Sequence, residues 1–149
     1  MEKKEFFEIT KKCFMSLNCK QYKKTKTFSY EQEEFFLFFI LLRSNYSDCY
    51  YLDINCSIKA LHLELTPEIN NCDLVGQPRI KLLDDRTCQI KPEELEKNQY
   101  ELNLYNTIKT ILANADKNKL LFVKNLEKGD KIITCTGVFE RRAKEFLFN

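Results

Sequence analysis

A chain of 149 residues that is 44% hydrophobic and 31% charged has material for one core and one solvated surface, which excludes a disordered chain and leaves little length for a second full domain. Its net charge of +2 is too small to point to nucleic acid by itself. Its longest apolar run, Phe35 to Leu42, falls far short of the roughly 20 residues that a membrane helix needs, so no membrane association is expected.

Residues 2 to 17 read as a helix. Phe6, Ile9, Cys13 and Leu17 recur at helical spacing, Phe7 and Phe14 widen the stripe, and Asn18 stops it. From 20 to 30 the pattern becomes that of a half-exposed strand, with Tyr22, Phe28 and Tyr30 among Lys and Thr. Glu31-Gln32-Glu33 turns the chain. Residues 34 to 43 form the strongest strand, apolar enough to be buried on both faces. Asn45-Tyr46-Ser47-Asp48 is turn chemistry. Residues 49 to 61 alternate: Tyr50, Leu52, Ile54, Cys56 and Ile58 make an apolar face, and Tyr51, Asp53, Asn55 and Ser57 a polar one. Three strands joined by short turns predict an antiparallel meander.

The second half is less regular. Asn70-Asn71 and Gly76-Gln77-Pro78 punctuate it, and Arg79 to Leu83 reads as a short strand. Pro92, followed by Glu93 and Glu94, has the chemistry of a helix start, and the apolar spacing carries that helix to about Ala115. Lys119 to Leu126 fits a helix or a strand equally. Ile132 to Thr136 reads as a strand. Residues 138 to 147 read as a last helix, with Val138, Phe139, Ala143, Phe146 and Leu147 on its apolar side. No repeat and no Gly-, Ser- or Pro-rich linker divides the chain. The expected architecture is one α+β domain over residues 1–149: an antiparallel sheet of about four or five strands, with the first helix and the C-terminal helices packed on one face.

No catalytic or cofactor chemistry stands out. Glycine occurs only at 76, 129 and 137, which excludes a Gly-rich phosphate loop. The seven cysteines have no close pairs; Cys13 and Cys19 are the tightest, so no metal site is expected. Their odd number, with a charged N-terminal stretch in place of an apolar leader, reads as reduced thiols in a cytosol. The single histidine, His62, has Asp53 and Glu64 near it in sequence. Without a nucleophile or phosphate clamp it reads as a histidine at a strand end.

Two surface patterns remain. From Lys11 to Lys26 there are six lysines and no acid. Within that stretch Lys20, Tyr22, Lys23, Lys24 and Lys26 combine charge for phosphate with a ring for a base, the chemistry of a nucleic-acid site. The same lysines also suit the guarding of an edge strand. From Asp48 to Asp73 the acids outnumber Lys59 alone. Asp48, Tyr51, Asp53, Asn55 and Glu64 are the candidates for a face that meets a basic protein partner.

The segment from Cys19-Lys20-Gln21-Tyr22-Lys23-Lys24 to Tyr50-Tyr51-Leu52-Asp53-Ile54-Asn55-Cys56 resembles a bacterial domain family of unknown function. Its members have a helix, a Gly-Phe-Lys-Lys-like lead-in and a strand with a Tyr-x-x-Asn-x-Gly pattern. Here Asn18-Cys19 stands at the Gly-Phe position and Cys56 at the strand glycine. The resemblance covers roughly residues 5 to 80. Some members resemble immunity proteins encoded beside secreted toxins, so it implies a cytoplasmic, non-enzymatic binding protein, an immunity-type inhibitor of a toxin or effector, and it carries over no site residue.

Overall fold

The computed structural model describes residues 1–62, 72–76, 79–126, 133–134, 137–139 and 141–148. Helix α1 (Lys3–Ser16) turns Phe6, Ile9, Thr10, Cys13 and Phe14 inward. It ends where the chain needs a left-handed residue. Asn18 takes φ 64, which asparagine tolerates, and Cys19 N–H then reaches back to the Phe14 carbonyl at 3.0 Å.

The strands follow: β1 (Lys20–Gln21), β2 (Thr27–Glu31), β3 (Phe35–Arg43) and β4 (Tyr50–Ile58). They pair antiparallel in sequence order, so the expected meander is present. The stretch expected as one strand over 20–30 is two. Tyr22 N–H donates to the Thr27 carbonyl at 2.8 Å across a turn in which Lys23 holds φ 50. Later in the chain come β5 (Leu74–Gly76), β6 (Arg79–Ile80), β7 (Ile133–Thr134) and β8 (Gly137–Phe139). The main sheet runs β1-β2-β3-β4-β6-β7, and β5 and β8 form a separate antiparallel pair. Val138 and Phe139 therefore belong to a strand, contrary to their expected place in the last helix; α4 starts later, at Arg141–Phe148.

Pro92 opens a single short turn of 3-10 helix, Pro92–Glu94. The long helix α2 (Lys97–Asn118) starts after it, because the Glu96 carboxylate accepts the otherwise orphaned N–H groups of Asn98 and Gln99. The segment that fitted either state is a helix, α3 (Leu120–Leu126), set off from α2 by Lys119 at φ 50.

One face of the sheet carries the core. Phe35, Leu37 and Phe39 of β3 and Leu52, Ile54 and Ile58 of β4 pack with residues of α1, α2 and α3. Phe14 stacks on Phe28 with ring centroids 4.5 Å apart. A polar pair is buried between α1 and α2: the hydroxyls of Thr10 and Tyr100 lie 2.7 Å apart. Thr10 donates its only hydroxyl hydrogen to the Phe6 carbonyl at 2.8 Å, so Tyr100 must be the donor in the pair.

Candidate functional site

Pairing register decides what lies on the other face of the sheet. Leu42 is opposite Tyr51, Ile40 opposite Asp53, Phe38 opposite Asn55 and Phe36 opposite Ser57. Asp53 is flanked on its other side by Arg79 of β6. All these positions share the parity that points away from the helix-covered core.

The face is mainly apolar, and its cations are matched by acids: Lys59 lies 3.6 Å from Glu31 and Arg79 3.6 Å from Asp53. Phe36, Ile40, Leu42 and Tyr51 are half-buried, and Phe38 is fully enclosed. The Arg79 guanidinium lies 3.7 Å from the centroid of the Tyr51 ring, and the Lys59 ammonium 4.7 Å from that of Phe36. Gln89 Nε2 donates to the Tyr51 hydroxyl at 3.2 Å.

Asp53 is the anomaly. It is 1% exposed, and neither carboxylate oxygen has a hydrogen-bond partner; the side-chain oxygen of Asn55 has none either. Arg79 Nε is 3.6 Å from Asp53 Oδ1, close enough for charge attraction and too far for a good hydrogen bond. Burial pushes the Asp53 carboxyl up to about 6, and Arg79 works against that rise. A carboxylate without donors on a sheet face disfavours the ionised form of the folded chain.

The other expected binding residues are scattered. Asp48 stands in the turn between β3 and β4, where it accepts from Arg43 at 2.9 Å and from Lys3 of α1 at 3.4 Å. Those two cations hold its carboxyl below the usual range. It thus belongs to the end of the sheet. Glu64 lies outside the described residues. Tyr51 and Asn55 share the face with Asp53 as expected.

The lysine segment wraps an edge. Lys20, Lys23, Lys24 and Lys26 are exposed, but Lys23 and Lys26 lie on opposite sides of the sheet. Tyr22 sets its ring edge-on to Phe38 on the outer face, with centroids 5.6 Å apart, and Lys23 lies 5.1 Å from the Tyr22 centroid. Lys26 reaches the helix-covered side, 4.0 Å from the centroid of Phe7 of α1. Tyr22 is therefore partly used up in packing, and a base would have to compete with Phe38 for it.

His62 pairs with neither Asp53 nor any acid singled out for it. Its Nε2 is 2.9 and 3.1 Å from the two oxygens of Asp73, which is fully buried and also accepts the Ile58 N–H at 2.7 Å. The carboxylate thus anchors the chain beyond β4 to the end of that strand. Among the described residues no set of three or more His, Cys, Asp or Glu side chains is placed to hold a metal, and no helix is long and apolar enough to cross a membrane. Burial raises the Cys13 and Cys19 thiols to about 12, which leaves them as packing groups.

The sequence contained the signal for this face, and it lay in β3. Phe36, Phe38, Ile40 and Leu42 form an apolar row. Burial on both faces was the natural reading of that row; three of its four side chains instead keep some access to solvent. Comparison with known proteins finds no matching family model, no matching curated protein and no matching solved structure.

Proposed function

We propose that this chain is a non-catalytic protein-binding module that engages its partner through the outer face of the sheet. The observation that carries the reading is the half-buried row Phe36, Ile40 and Leu42 beside the Tyr51–Arg79 stack. Tyr and Arg are the residue types that dominate binding energy at interfaces, and apolar neighbours keep water from them. The cations of this face already meet acids of the chain, so the apolar centre, and not a charge sign, sets what the partner must present. Blockade of a toxin or effector is the finer form of the proposal, and it rests on the family resemblance alone.

The test is native co-purification with identification of the bound protein, repeated with Ile40→Glu plus Leu42→Glu and with Leu121→Glu. Leu121 is an exposed apolar residue of α3, away from the proposed face. Loss of a specific partner in the double variant alone supports the reading. A partner retained by the double variant sinks it.

The second reading, binding of RNA or DNA by Lys20, Lys23, Lys24 and Lys26, is supported by four exposed ammonium groups on one short stretch. It requires binding that weakens steeply with salt and that falls with Lys23→Ala plus Lys24→Ala.

A further inference from the structure

We infer that a cleft between α1 and the turn joining β1 to β2 is a binding site for a small organic anion with an apolar body, such as a short aliphatic or single-ring carboxylate. The cleft lies on the helix-covered side of the sheet, so it is separate from the proposed protein-binding face. It has a volume of about 140 Å³. That is below the roughly 300–1,000 Å³ of sites for drug-sized ligands, which limits the occupant to a small molecule.

Its chemistry is divided. Phe7, Phe28 and Leu41 supply the apolar walls. Lys11 and Lys26 are the only charged lining groups, and no acidic side chain lines it. Neither lysine makes an ion pair among the described residues. Lys26 is held at the mouth by the Phe7 ring, at 4.0 Å. Both lysines also belong to the stretch from Lys11 to Lys26 that has six lysines and no acid, so the local potential favours an anion.

The rim is built before any ligand arrives. Gln21 Nε2 donates to the Thr25 carbonyl at 2.8 Å, and the Thr25 hydroxyl donates to the Tyr22 carbonyl at 2.5 Å. The Leu41 N–H donates to the Lys26 carbonyl at 3.0 Å, which ties the turn to β3. A rim fixed in this way loses little freedom when a ligand binds. The apolar body would lie against Phe7, Phe28 and Leu41, and the carboxylate would meet the two ammonium groups.

The experiment is a titration followed by backbone amide chemical shifts, with hexanoate, benzoate, hexylamine and inorganic phosphate as separate probes. Saturable millimolar shifts confined to Phe7, Lys11, Gln21, Thr25 and Lys26 are expected for the two carboxylates. Hexylamine and phosphate should leave those amides unmoved. Lys11→Glu combined with Lys26→Glu should weaken carboxylate binding at least tenfold, with the chain still unfolding in one cooperative transition. Three results would overturn the site: no saturable carboxylate shifts in the millimolar range, phosphate binding equal to benzoate, or full binding by the double variant.

Discussion

The two faces of one sheet solve opposite problems with the same strands. The inner face meets three helices, and its large side chains at Phe35, Leu37, Phe39, Leu52 and Ile54 have essentially no exposure. The outer face has an equally apolar row on β3, but most of that row keeps some access to solvent, and Lys59 and Arg79 lie over its rings and beside acids. Hydrophobicity along β3 is therefore a poor guide to what covers it. The neighbouring strand, where Tyr51, Asp53, Asn55 and Ser57 alternate with the core residues, marks which side is which.

The sharpest way to break this comparison is to truncate one aromatic on each face. Phe39→Ala should cost about 3–5 kcal/mol, because the packed inner face cannot collapse around the cavity. Phe36→Ala should cost under about 2 kcal/mol, since that ring is partly exposed before the change. Urea unfolding of both variants reads the difference directly, and equal losses would mean that the outer face is packed as tightly as the inner one.

Asp53 gives the second test, because it places a titrating group inside the outer face. The unfolded carboxyl titrates near 3.8 and the folded one near 6. Well below pH 3.8 both forms are neutral and no ionisation penalty applies. Between pH 4 and 6 the unfolded chain ionises first, so stability falls as pH rises. Above about 6 both are ionised and the penalty is constant, on the order of 3 kcal/mol from the size of the shift. Asp53→Asn should therefore raise stability at pH 8, leave it nearly unchanged at pH 3, and flatten the slope between. Denaturant unfolding as a function of pH checks this, and an unaltered slope would show that the carboxyl ionises freely in the folded chain.

A smaller effect belongs to the inner side. Thr10→Val should cost about 1–3 kcal/mol, because it strands the buried Tyr100 hydroxyl without an acceptor. Adding Tyr100→Phe should recover part of that loss, since both polar groups are then gone. Urea unfolding of the single and double variants measures the recovery, and a double variant less stable than Thr10→Val would refute the pairing.

Much of the architecture could be read from the amino acids, because β4 alternates cleanly and α1 has a regular stripe. The first helix, the three-strand meander and the long helix all follow from those patterns. The departures have local physical causes. The strand over 20–30 was expected to be continuous, and a turn with Lys23 in a left-handed conformation divides it. The long helix waits for the capping carboxylate of Glu96 instead of starting at Pro92. Val138 and Phe139 have helical spacing to Leu147, yet they pair with Leu74 and Val75, a long-range contact that no local pattern encodes. The candidate site was legible in its strand and in its parity. Its character was not, because nothing in the sequence around Asp53 announces that Arg79, 26 positions later, comes to lie beside it.

The brevity of β1 has a consequence for how copies of this molecule behave at high concentration. A second molecule adding its own strand outside Lys20–Gln21 would gain only two residues of ladder before the chain swings into a turn. It would also bring its own ammonium groups against those of Lys20, Lys23 and Lys24. Growth of a fibre from that rim is thus arrested both by geometry and by repulsion, and raising the salt concentration relieves only the second.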